Sequence, residues 1–244
     1  MYKETFKNKI IDLIKKVDKD EDINIKNAAD IIYQSMKKGG LLHIFCTGHS
    51  HMIAEEMFYR AGGLVQVNPI LEPILMQHEG AFRSTKFERL AGLSKILFDS
   101  IDIKEGEPFL IVSNSGINVV PIEMAICAKE KKCPIVVITS KKISEKLESR
   151  HESKKNLYEY GDVIIDNHIP NGDGVIKTNS GSKIGASSTI IGAYIAQRLA
   201  IEIVANFERD GIKPDIYLSA NTNGGDEHNE TILKKYKSRI RSLF

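Results

Sequence analysis

Leu41-Leu-His-Ile-Phe-Cys-Thr-Gly-His-Ser50 decides the reading of this chain. Leu41 to Phe45 is a short apolar run, the pattern of a strand buried on both faces. Cys46 to Ser50 then turns small and polar. Met52-Ile-Ala-Glu-Glu-Met-Phe-Tyr-Arg-Ala61 follows as a helix and closes on Gly62-Gly63. Strand, small-residue turn and helix is how an α/β sheet builds an anion site. The turn leaves N–H groups unpaired at a helix N-terminus, where the dipole also favours negative charge. Gly48 lets the backbone approach a ligand, and Ser50 offers a hydroxyl.

The same design recurs further along. Pro108 to Val112 is an apolar strand, followed by Ser113-Asn-Ser-Gly116 and a helix from Val119 to Lys131. Pro134 to Ile138 is another strand and ends in Thr139-Ser140. Asp162 to Asp166 is a further strand, and Leu64 to Val67 a short one after the first helix. Strands alternating with helices, nearly continuous in apolar residues, predict a five-stranded parallel sheet covered on both faces. Ligands of such sheets sit at the carboxyl ends of the strands.

The remaining segments give their own expectations. Residues 2–37 read as a helical hairpin: Phe6, Ile10, Leu13, Ile14 and Val17 form one stripe, the charged run Asp18 to Asp22 interrupts, and a second helix runs from Ile25 to Lys38. Gly39-Gly40 ends it as a C-cap would. Asn68 to Arg83 reads as a long loop, after which the capping-box spacing of Thr85 and Glu88 starts a helix striped by Leu90, Leu93, Ile96 and Leu97. Asn167 to Ser182 is expected to be a Gly/Asn-rich loop, and Gly185 to Phe207 the longest apolar helix. Asn221 to Asn229 reads as a polar loop before a basic helix, Glu230 to Arg241. No linker divides the 244 residues, so one domain is expected.

Composition narrows the function classes. Thirty-four basic residues against 32 acidic ones give a net charge of +2, no footprint for nucleic acid or an anionic membrane. The start of the chain lacks the apolar core of a signal peptide, and a cytoplasmic protein is expected. Cys46, Cys127 and Cys133 lack metal-ligand spacing, which fits a reducing compartment. No metal and no cofactor are expected.

A phosphate needs several neutral donors converging on one point. Ser50, Ser113, Ser115, Thr139 and Ser140 can supply them at three successive strand ends. Each turn alone could be a helix cap, but three together favour a phosphate site. His49 and His51 flank Ser50 and suit a phosphate or sugar hydroxyl; without a carboxylate or Cys pattern they do not make a metal set. Glu55 and Glu56 are the acid–base candidates. Glu56 also stands four residues before Arg60, which reads equally as a helix-face ion pair. Asp226 and Glu227 read as solvated.

The chain resembles the SIS, or sugar isomerase, domain family, and most of all its phosphoheptose isomerase branch. The resemblance covers roughly residues 25–205 and rests on Ala28-Ala-Asp-Ile-Ile with Gly39-Gly40, Thr47-Gly-His-Ser50, Val112-Ser-Asn-Ser-Gly116 and Thr139-Ser140. It implies a flavodoxin-like three-layer α/β fold, a bound sugar phosphate, and a homodimer or homotetramer. It gives Gly48, His49, Ser50, His51, Ser113, Asn114, Ser115, Gly116, Asn118, Thr139 and Ser140 to the phosphosugar, with Asn118 standing where many members carry Thr or Ser. Ungapped counting puts Arg60 at the family's catalytic glutamate, whereas a one-turn gap puts Glu56 there. By analogy with a late histidine that the family's isomerases place at a neighbour's site, His228 joins the catalytic set. An isomerase of a sugar phosphate is the leading expectation. A phosphosugar sensor or regulatory protein, and a phosphosugar lyase or etherase, are the alternatives.

Overall fold

The computed structural model describes residues 2–243. Helix α1 runs unbroken from Tyr2 to Met36, so the expected N-terminal hairpin is corrected to one long helix. No Gly or Pro interrupts residues 2–36, and the acidic run has partners instead of a turn. Lys16 binds Asp20 at 2.5 Å and Lys26 binds Asp22 at 2.7 Å, both one turn apart. Arg198, from far along the chain, bonds Asp18 and Asp22, and Tyr194 donates to Asp18 at 2.6 Å.

Next come β1 (Leu42–Cys46), α2 (His51–Met57), β2 (Val67–Ile70), α3 (Ala81–Phe87), α4 (Leu93–Asp99) and β3 (Phe109–Val112). They are followed by α5 (Val119–Glu130), β4 (Ile135–Thr139), α6 (Lys141–Ser144) and β5 (Val163–Asp166). The five strands form one parallel sheet in the order β2-β1-β3-β4-β5. This is the flavodoxin-like order, with its switch point between β1 and β3. Alternate strand residues feed two cores. Leu42, Ile44, Leu110, Val112, Val136 and Ile138 face α1 and the long helix near the C-terminus. Phe45, Phe109, Ile111, Ile135 and Val137 face α4 and α5.

Several boundaries differ from expectation. β2 begins where the predicted strand ends. Gln66 lies just before it, donating to the carbonyls of Met36 and Gly40 at 2.8 Å each. Pro69 sits inside β2, which an edge strand tolerates. The expected loop from 68 to 83 holds β2, two short 3-10 turns and the start of α3. Thr85 lies inside α3 and bonds Ala81 O, so the expected capping box is absent. The Gly/Asn-rich stretch folds as an antiparallel hairpin, β6 (Gly174–Lys177) with β7 (Lys183–Ala186). Gly185, at φ +73°, lets α1 approach it: a Cβ there would stand 2.9 Å from the Phe6 ring.

Helix α7 (Ser188–Arg209) packs against α1 and α2, burying Ile191, Ile195, Leu199 and Ile203. Among the described residues it is the one helix long and apolar enough to cross a membrane by length and composition. Helix α8 (Gly225–Leu233) takes up most of the expected polar loop, and turns replace most of the expected basic helix after it.

Candidate functional site

The switch point brings two turns side by side, residues 47–50 after β1 and residues 113–118 after β3. The second turn is pinned from below. Asn114 accepts from Ser140 N–H at 3.0 Å, from Thr139 Oγ1 at 3.1 Å and from Asn167 Nδ2 at 2.6 Å. Gly116 stands at φ +64°, and a Cβ there would lie 3.0 Å from Ser144 Oγ. Ser113 Oγ accepts the Gly116 N–H at 3.3 Å and keeps its own proton to donate. α5 then starts at Val119; with twelve residues it is the longest helix leaving these turns, since α2 has seven and α6 four.

The hydroxyls divide into two sets. Those of Thr139 and Ser140 are committed inside the fold, to Asn114 O at 3.1 Å and Ile169 O at 2.6 Å. Thr47 Oγ1 donates to Glu88 at 2.5 Å. Ser50 and Ser115 carry side-chain hydroxyls with no hydrogen-bond partner among the described residues. Ser115 lines an open cavity of about 210 Å³ with Asn114, Ser140, Pro170 and Asp173. The structure thus narrows the candidate donors to Ser50, Ser113 and Ser115 and gives Thr139 and Ser140 a structural task. Asn118 is buried, and its Oδ1 accepts from Arg150.

The histidines and glutamates separate as well. His49 is exposed. The His51 ring is 9% exposed; its Nδ1–H donates to the carbonyl of Gly48, and its Nε2 lies 3.7 Å from Glu55. His78, on the turn before α3, meets the His51 ring edge-on at 6.2 Å. Gln77 places its amide above Gly48, 3.8 Å from where a Cβ would be. Glu56 points the other way, toward α7: Gln197 donates to it at 2.8 Å, and Arg60 forms an ion pair with it.

His228 is not brought to the turns within one chain. It bonds Ile216 O at 3.0 Å, and Ile216 bridges to Leu64, just before β2. That is the amino end of the parallel sheet, opposite the crevice. Glu88, Gln77 and Asn167 were missed as site neighbours, and His78 was read only as part of the long loop. Glu88 was read as the capping-box partner of Thr85, and the others come from segments without periodicity. Ser187-Ser188 at the start of α7 was a visible hydroxyl signal; both bond the carboxylate of Asp173. Burial pushes the Cys46 thiol at the end of β1 up to about 12, which keeps it protonated. Among the described residues no group of three His, Cys, Asp or Glu could hold a metal ion.

Known proteins share this fold. The SIS domain family matches residues 5–140, more than half of the chain. The chain belongs to the SIS domain family. It is also 42% identical over 236 residues to a UPF0309 protein of Geobacillus thermodenitrificans, covering 96% of this chain and 95% of that one. Two solved structures share the fold. A phosphoheptose isomerase from Francisella tularensis superposes with a TM-score of 0.52 at 15% identity, covering 83% of this chain and 96% of the other. The Vibrio vulnificus NanR protein complexed with ManNAc-6P gives 0.57 at 13% identity, covering 99% and 70%.

Proposed function

We propose that this SIS protein binds a sugar phosphate in the cytoplasm and isomerises it between aldose and ketose forms by carboxylate or imidazole proton transfer. The observation that carries the reading is that the turns holding Ser50, Ser113 and Ser115 follow the neighbouring strands β1 and β3 at the switch point, the second of them leading into α5. Neutral donors of this kind suit a phosphate dianion. Support also comes from the ligand class: a phosphosugar lies in the NanR complex, and the Francisella relative is a phosphoheptose isomerase. Ser115→Ala should weaken phosphosugar binding by about 1–2 kcal/mol, the loss of one hydrogen bond to a charged group. Calorimetry against hexose, heptose, pentose and amino-sugar phosphates measures it. Equal binding of the unphosphorylated sugars would remove the proposal.

A second reading is a phosphosugar-binding protein without turnover. The engagement of Glu56 by Arg60 and Gln197 favours it, because a carboxylate held there is not free for a substrate carbon. In either reading we expect a homodimer or larger. Ile201 is 60% exposed, Ile190 41% and Met52 40%, large apolar side chains left uncovered on α7 and α2.

A further inference from the structure

We propose that His51 and His78, rather than Glu56, carry the proton transfers, with His51 acting at carbon and His78 at oxygen. This rests on the phosphosugar isomerase reading above. The geometry around His51 is the reason. A backbone carbonyl can only accept, so the bond to Gly48 O places a proton on Nδ1. In the neutral ring that leaves Nε2 as a lone pair, and a fixed tautomer is what a general base requires. Nε2 has no hydrogen-bond donor against it among the described residues. It faces Glu55, whose carboxylate lies 3.7 Å away. His51 opens α2 directly after Ser50, which puts this imidazole on the element that leaves the first turn.

Aldose–ketose interconversion needs one group at the carbon and another at the oxygens. His78 is the second group: it is exposed, sits on the turn that overlies Gly48, and has its ring 6.2 Å from that of His51. The step balances without any further reactant. Nε2 of His51 takes the proton from C2 of the open-chain aldose. The C–H electron pair forms the C1–C2 double bond, and the carbonyl pair moves to O1, which takes a proton from His78 in its imidazolium form. His78 then takes the proton of the O2 hydroxyl as the C2 carbonyl forms, and His51 returns its proton to C1. The ketose leaves with both imidazoles as they began, C1 reduced and C2 oxidised.

His51→Asn tests the assignment, because the Asn amide N–H can replace Nδ1–H on Gly48 O while removing Nε2. Glucose 6-phosphate, fructose 6-phosphate, arabinose 5-phosphate, glucosamine 6-phosphate and sedoheptulose 7-phosphate are incubated with the protein in deuterated water. Deuterium uptake is read by mass spectrometry and affinity by calorimetry. The expected result is unchanged affinity with exchange at least about 100-fold slower, the scale of a lost general base. His78→Gln lies on an exposed turn and does not touch the Gly48 bond; it should slow exchange about tenfold or more at unchanged Tm. Glu56→Gln should exchange like the parent. Normal exchange in both histidine variants, or loss only in Glu56→Gln, overturns the inference. A parent that binds a phosphosugar without exchanging it overturns the inference and leaves the binding reading standing. A parent that binds none of the panel overturns the proposed function itself.

Discussion

Replacing Glu107 with Gln tests the buried polar network at the amino end of the sheet. The Glu107 carboxylate is 4% exposed and accepts five hydrogen bonds: from Leu41 N, Lys104 N, His43 Nε2 and both terminal nitrogens of Arg239. The four chain bonds measured from Leu41, Lys104 and Arg239 fall at 2.8–2.9 Å, and that from His43 at 3.0 Å. His43 is in turn fixed by Asn68, which donates to its Nδ1 at 3.0 Å. Burial pushes the Glu107 carboxyl up, but the bonds from His43, Arg239 and the two amides outweigh it and hold the group well below the usual carboxylate range. Gln can accept at only one oxygen and turns an N–H pair toward donors. Breaking one partner of such a buried pair costs about 3–5 kcal/mol, so Tm should fall by roughly 6–20 °C at neutral pH. The folded pKa lies below the unfolded value of about 4.3. The carboxylate's contribution is therefore complete above that value and is lost as the pH falls through it toward the folded pKa. Calorimetric melts from pH 8 to pH 3 should show a gap between parent and variant that is constant above about pH 5 and narrows below about pH 4. A gap under about 1 kcal/mol at neutral pH, or one that stays constant to pH 3, would refute the reasoning.

Gly116→Ala forces a side chain into φ +64° and toward Ser144 Oγ at 3.0 Å, so it should destabilise by about 1–3 kcal/mol and abolish phosphosugar binding; parent-like calorimetry would show the turn to be relaxed. Light scattering at micromolar protein should give a dimer or larger, and Ile201→Glu should shift it toward monomer; a monomeric parent would be the contrary result.

Four strands were legible because each is a mainly apolar run opened by Gly, Pro or Asp. β2 was displaced because Asn68-Pro69 hides it, and only an edge position makes that proline acceptable. The unbroken α1 was hidden for a different reason. Asp18 to Asp22 looks like a turn until Arg198 and Tyr194 arrive from α7 to neutralise it. Propensity cannot see a partner 176 or 180 residues away. The β6–β7 hairpin was hidden by its Gly and Ser content. At the site, the hydroxyl turns themselves were legible. Which hydroxyls remain free was not, because that depends on tertiary acceptors such as Asn114 O and Ile169 O.

The two ends of the sheet solve opposite electrostatic problems. At the amino end, a buried carboxylate and an arginine from the C-terminal segment are matched bond for bond, and the network ties residues 41, 43, 104, 107 and 239 into one unit. Both oxygens of that carboxylate are engaged within the fold. At the carboxyl end, the turns 47–50 and 113–118 contain no Lys or Arg. Their polarity comes from hydroxyls, backbone and a buried Asn118 whose carbonyl is occupied by Arg150 at the rim. On the proposed function, a phosphate arriving there would meet dipoles rather than a Lys or Arg of the turns, so little side-chain entropy would be lost on binding. Fixing those dipoles is the task of Asn114, Thr139, Ser140 and Asn167, whose bonds are internal. On the proposed function, their contribution to binding would be to hold Ser113 and Ser115 in place without contact with the ligand.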